Sequence, residues 1–167
     1  NYSNTFQKLM NNPTTPSFPM KLSFSIPCAS EFVSILRLAV SGIASKMDFP
    51  VEDIEDIKIA LSEACTNSIQ HAYDTENLAQ EQTIDITAFV HKDKLELIVE
   101  DTGKGFDISK LGSPEQKENS EKKLGLGLGL AFIKNLMDDS EVVSTIGKGT
   151  KVRMTKTAPP SFSCKNA

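Results

Sequence analysis

Three polar side chains stand four residues apart in the stretch SEACTNSIQHAYD, Ser62 to Asp74: a carboxylate at Glu63, a carboxamide at Asn67 and an imidazole at His71. On an α-helix that spacing puts them on neighbouring turns of one side. Such a stripe is either the solvent face of a good helix or one wall of a site. Two glycine-rich stretches follow, DTGKGF (Asp101–Phe106) and GLGLGL (Gly125–Leu130), and GKGT closes the series at Thr150. Glycine allows positive φ and lets backbone N–H groups approach a phosphate closely. The second stretch also opens a helix, whose N-terminus favours anions.

The familiar phosphate-binding patterns do not fit. GLGLGLA is not G-x-G-x-x-G, because Leu130 stands where the third glycine belongs, and it follows a polar loop and not a strand. There is no G-x-x-x-x-G-K-[ST], and neither H-R-D nor D-F-G occurs, so a Walker loop and an ordinary protein kinase are both excluded.

The elements that must position these residues can be read from periodicity. KLSFSI (Lys21–Ile26) alternates as a strand. Ser30 is a candidate N-cap for a helix through Met47, with Phe32, Ile35, Leu36, Ala39, Val40 and Ile43 as its apolar face and Arg37 off it. Pro50 suits the first turn of a second helix, Val51 to about Tyr73. There Ile54, Ile57, Leu61, Ala64, Ser68 and Ala72 share the apolar stripe, and Asp56, Glu63, Asn67, Gln70 and Asp74 lie opposite. TIDITAFV and KLELIVED pair as a hairpin that ends at Asp101. A polar stretch from Ile108 to Lys123 is long for a connector and reads as a lid. AFIKNLMDD is a short helix, and EVVSTIGKGTKVRMTK a second hairpin with Val152 and Met154 inward. The order β, α, α, β, β, lid, α, β, β predicts an α+β fold with a largely antiparallel sheet. Expected boundaries are a flexible arm over 1–19, one domain over 20–157 with its lid at about 107–128, and a flexible tail over 158–167.

Composition narrows the function classes. With 167 residues, 39% apolar and 24% charged, the chain is long enough for one domain with a real core. A net charge of -4 argues against direct nucleic-acid binding. No run of about 18 apolar residues is present, so no membrane span is expected. The beginning lacks the charged and apolar regions of a secretory signal. Cys28, Cys65 and Cys164 are scattered and odd in number, which argues against a disulfide framework or a zinc site and fits a reduced, cytoplasmic setting. Cys65 reads as a small core residue.

The ordered set of motifs resembles the GHKL ATPases, the superfamily of gyrase, Hsp90-type chaperones, histidine kinases and MutL. EACTNSIQHAY resembles the N box, DTGKGF the first glycine box D-x-G-x-G, GLGLGLAFI the second and GKGTKV the third; the likeness spans about Lys21 to Lys156. It implies a two-layer α/β sandwich of the Bergerat type, with a mixed, mainly antiparallel sheet, helices on one face and a mobile ATP lid. EDIKIALSEACTNSIQHAYD and NLMDDSEV are further similar to the bacterial anti-sigma factor serine kinases of the RsbW and SpoIIAB type. Proteins of that type sequester a sigma factor and phosphorylate a small anti-sigma factor antagonist with a STAS fold, and homodimers are usual among them.

The resemblance assigns roles residue by residue. Glu63 is the implied general base toward a substrate serine. Asn67 would hold Mg²⁺ through its amide oxygen, a sufficient share because magnesium keeps its waters and substrate phosphates. His71 is left outside the catalytic set. Asp101 would accept a hydrogen bond from the adenine amino group, with Thr150 supporting the adenine pocket. Gly103 and Gly105 would pass beneath the nucleotide, and Gly125, Gly127 and Gly129 would line the triphosphate. Some of the resembled kinases carry an arginine just before the second glycine box. Here Gly125 occupies that place and Lys122 and Lys123 precede it. Either lysine, with Lys123 placed in the ATP-binding set, would meet the γ-phosphate as a point charge without the bidentate grip of arginine. Arg37 matches a position that faces the sigma factor and the antagonist. Two alternatives stand beside the serine kinase: an ATP-tuned partner-binding module without chemistry, and the ATP-binding domain of a two-component histidine kinase.

Overall fold

A computed structural model describes residues 17–73, 82–110 and 121–165. Among these residues, five strands and four helices follow one another: β1 (Met20–Pro27), α1 (Val33–Lys46), α2 (Val51–His71), β2 (Thr83–Val90), β3 (Lys94–Asp101), α3 (Glu121–Leu136), β4 (Asp139–Thr145), β5 (Gly149–Thr157) and α4 (Pro160–Lys165). Short 3₁₀ turns stand at Ser30–Phe32 and Ile108–Lys110.

The strands form one sheet in the order β1-β2-β3-β5-β4. All four pairings are antiparallel, so the expected mixed sheet is corrected to a purely antiparallel one. Hairpins join β2 to β3 and β4 to β5, while the connection through α3 carries the chain from β3 past the place of β5 to β4, which runs parallel to β3 without pairing with it. Alternation does what the sequence implies: Ile84, Ile86, Ala88 and Val90 on β2, Leu95, Leu97 and Val99 on β3, and Val152 and Met154 on β5 all point into the core. The other face is polar, with Lys151 bridging Glu100 at 2.7 Å and Arg153 bridging Glu141 at 3.1 Å.

Helix α2 is the spine. Its Ile57, Ala60, Leu61, Ala64 and Cys65 are completely buried, a stripe spaced three and four apart. Helix α1 starts later than its sequence suggests. A 3₁₀ turn precedes it, Ser30 makes no capping bond and the N-cap is Phe32. The buried face therefore runs through Val33, Leu36, Val40 and Ala44, and Ile35 of the expected face is 59% exposed. Structure also extends into the stretch expected as a tail. Residues Pro160–Lys165 form a helical turn and a half, and Phe162 is buried with its ring edge-on to Phe18 at 6.2 Å. The remainder of the expected arm, residues 1–16, lies outside the described residues. No helix among the described residues is long and apolar enough to cross a membrane.

Burial pushes the Cys65 thiol up to about 12, with a smaller contribution from the nearby Cys28. The fold therefore holds the neutral thiol. The stability this gives is present below the thiol's ordinary value of 9.0 and is lost as pH rises from there through about 12. The expected result is that Cys65 in the native protein resists a thiol reagent at pH 8 and reacts once guanidinium unfolds the chain, as peptide mass mapping would read out. Labelling of the native protein at Cys65 at the rate of a free thiol would contradict it.

Candidate functional site

The site is built where α2, the end of β3 and the start of β5 meet. β3 ends at Asp101, which pairs in register with Ile84 on one side and Thr150 on the other. The chain then turns through DTGKGF against the C-terminal end of α2. A cleft opens there, lined by Asn67, Ser68, His71, Asp101, Phe106 and Thr150, with Leu130 of α3 and Val152 as apolar walls.

Geometry explains the glycines of this turn. A Cβ at Gly103 would collide with the backbone carbonyl of Ala72, and the next residue, Lys104, donates its N–H to that same carbonyl at 2.7 Å. Gly105 has φ 60° and lies against the Thr145 carbonyl. Gly149 has φ 95°, and a side chain there would run into the carbonyl of Asp101. Each position excludes a side chain by contact, and the last two also by conformation.

Asp101 is 7% exposed and closely held. Its Oδ1 accepts backbone N–H bonds from Gly103 at 3.0 Å and from Thr150 at 3.2 Å. Its Oδ2 accepts the Ser68 hydroxyl at 2.8 Å. Thr150 Oγ1 lies 2.9 Å from Ser144 Oγ, which also accepts the Phe106 N–H at 2.9 Å. Sequence reasoning missed both serines. Ser68 carried a signal, a hydroxyl in the otherwise apolar stripe of α2; Ser144 carried none, because its contacts come from two other segments, at Phe106 and at Gly149–Thr150.

Glu63 and Asn67 sit one turn apart on α2, as the spacing implies, but they are not a solvent face. Asn67 is 9% exposed, and its Nδ2 is buried with no hydrogen-bond partner among the described residues. The cause is α3, which packs along α2. A methyl group at Gly129 would stand 3.0 Å from Glu63 Oε2 and 3.0 Å from Asn67 Oδ1. Gly129 therefore lets α3 lie close over the Glu63 and Asn67 side chains. His71, one turn further on, lines the same cleft.

The second glycine stretch does not open the helix, as its sequence suggests, but lies inside it. Gly125, Gly127 and Gly129 are all inside α3. Gly127 faces open space. Lys123 and Gly125 lie in the first turns of α3, where side-chain positions are outside the described residues, as are residues 111–120 of the expected lid. Arg37 is half-exposed on α1 and does not line the cleft.

The donor set fits a nucleotide and one hard cation. A buried amide with an unpaired N–H group is costly unless a ligand oxygen meets it. Among the described residues no group of three or more His, Cys, Asp or Glu could hold a metal. A magnesium ion here would therefore rest on the Asn67 amide oxygen and otherwise on phosphates and water. The acceptor-only carboxylate of Asp101 at the far end of the cleft suits an exocyclic amine.

The histidine kinase-like ATPase domain family matches residues 26–156. The serine-protein kinase RsbW of Bacillus licheniformis is 43% identical over 134 residues, 78% of this chain and 81% of that one. The same kinase from Bacillus velezensis is 41% identical over 139 residues, 81% and 84% of the two chains. Among solved structures, the RsbU and RsbW domains of Rv1364c from Mycobacterium tuberculosis superpose with a TM-score of 0.60 at 18% identity, covering 84% of this chain and 33% of that one; this likeness supports the fold. The chain belongs to the histidine kinase-like ATPase family and, within it, to the serine-protein kinases of the RsbW type.

Proposed function

We propose that this kinase is an ATP-dependent anti-sigma factor acting in the cytoplasm: it sequesters a sigma factor and phosphorylates a serine of a STAS-fold antagonist. The observation that carries the reading is the juxtaposition of Glu63 and Asn67 beside the cleft that ends at Asp101. A phosphoryl donor with its base at Asp101 and its phosphates toward Asn67 would lie along that cleft.

In the reaction, Glu63 accepts the proton of the substrate serine as its Oγ forms a bond to the γ-phosphorus. The bond from that phosphorus to the bridging oxygen breaks and ADP leaves. Asp101 and Thr150 hold the adenine, and Gly103 and Gly105 let the chain pass close beneath the nucleotide, packed against the Ala72 and Thr145 carbonyls. Asn67 would hold Mg²⁺ through its amide oxygen, and the ion would supply charge neutralisation at the phosphate oxygens. Gly125, Gly127 and Gly129, with Lys123, serve the triphosphate. Arg37 belongs to the partner-facing surface, and the working unit is a homodimer.

The test is incubation with ATP, Mg²⁺ and a STAS-fold antagonist from the same genome. The expected product is one acid-stable phosphate on a serine of the antagonist, read by mass spectrometry. An acid-labile phosphate would favour the histidine-kinase alternative. A normal antagonist complex with no transfer at saturating ATP would reduce the protein to a partner-binding module.

A further inference from the structure

We propose that Ser68 is a positioning residue that sets the nucleobase preference of this site by aiming the free lone pair of Asp101. The inference rests on the reading of Asp101 as the residue that meets the base. An ionised carboxylate has about four acceptor positions. Three of those on Asp101 are filled: two on Oδ1 by the N–H groups of Gly103 and Thr150, and one on Oδ2 by the hydroxyl of Ser68. One position remains, and it belongs to Oδ2.

The backbone bonds alone do not fix where that last position points. Both meet Oδ1, so the carboxylate can still pivot about it. The Ser68 bond at 2.8 Å is the third point that sets the plane. Ser68 is suited to the task because it is itself held. It is 6% exposed, and its own carbonyl receives the Ala72 N–H at 2.9 Å and the Cys28 thiol at 3.9 Å.

Ser68 also acts by what it no longer offers. A serine hydroxyl has one proton, and here that proton is committed to Asp101. What faces the cleft from this pair is acceptor lone pairs only. A purine with an amine at position 6 can donate to them. A purine with a carbonyl there would set oxygen against oxygen and leave buried acceptors unpaired, the arrangement that binding sites reject most strongly.

Removing the hydroxyl should therefore matter only when the ligand carries the 6-amino group. The experiment measures binding of ATP, GTP and purine riboside triphosphate, which is ATP without that amine, to the wild type, Ser68→Ala and Ser68→Thr. The expected result is a roughly tenfold loss of ATP affinity in Ser68→Ala, the scale of one charge-assisted hydrogen bond. Purine riboside triphosphate should lose less than about twofold, and the preference for ATP over GTP should narrow. Ser68→Thr, which keeps the hydroxyl, should restore discrimination. Equal losses for ATP and the amine-free analogue would overturn the inference and leave Ser68 a merely structural residue. If the wild type itself failed to distinguish those two nucleotides, the reading of Asp101 would fall and the inference with it. Thermal unfolding of each variant separates loss of fold from loss of discrimination, and Ser68→Thr keeps the question decidable should Ser68→Ala be unstable.

Discussion

Glu63→Gln lowers phosphoryl transfer to the antagonist by about 10²- to 10³-fold and leaves ATP affinity within about twofold of the wild type. The substitution keeps size and shape and removes only the capacity to take a proton. Its position supports a selective effect. Glu63 is partly exposed, beside the buried Asn67 amide, with its Oε2 facing Gly129 of α3. No described hydrogen bond or ion pair ties it to the fold, so the change should cost little stability. The affinity should survive because the contacts assigned to the base and the metal reside elsewhere, on Asp101 and Asn67. Single-turnover transfer of labelled phosphate gives the rate, and displacement of a fluorescent ATP analogue gives the affinity. An unchanged rate would remove Glu63 from the chemistry. A collapse of ATP binding would recast it as part of the nucleotide pocket.

That selectivity depends on a feature no helical wheel displays. The polar stripe of α2 looks like a solvent face because periodicity reports only which side of a helix differs from the other. Whether a second helix covers that side is decided by distant residues. Here Gly129 brings α3 against Glu63 and Asn67, Ile133 buries the next turn of its inner face, and Met137 is buried just past its end. The glycines of Gly125–Leu130, which suggested the start of a helix and not its interior, are tolerated inside α3 because tertiary packing outweighs a propensity penalty of about 1 kcal/mol each.

The strands were legible for the opposite reason. A two-residue alternation such as Ile84, Ile86, Ala88, Val90 fixes face and register together, and β2 follows it. Asp101 inherits its place from that register, since β3 must end opposite Thr150. The supporting serines could not be read the same way. Ser68 acquires its role only when a strand 33 residues away delivers a carboxylate to it. The helix at Pro160–Lys165 was hidden by its length, because six residues carry no usable period, and what holds it is the burial of Phe162.

Asp101→Asn is expected to weaken ATP binding by roughly 30- to 1,000-fold, the equivalent of about 2–4 kcal/mol. The direction follows from the hydrogen bonds at the site. Two backbone N–H groups, of Gly103 and Thr150, converge on one oxygen and require an acceptor there. An asparagine must therefore keep its oxygen in that place and turn its NH₂ toward Ser68 and the cleft. The serine can adapt by reversing its hydroxyl from donor to acceptor. The adenine amine cannot, so donor meets donor where donor met acceptor. Stability should fall by only about 1 kcal/mol, because the two backbone bonds persist while a charge-assisted bond to Ser68 becomes a neutral one. A nucleotide with a carbonyl at position 6 should lose little or gain, since the new N–H can donate to it. Calorimetric titration with ATP and with inosine triphosphate, beside thermal unfolding without ligand, reads all three quantities. Parallel losses for both nucleotides, or an ATP affinity within about threefold of the wild type, would show that Asp101 does not choose the base. A large fall in unfolding temperature would instead show the amide reversed, with both backbone N–H groups stranded against an N–H donor.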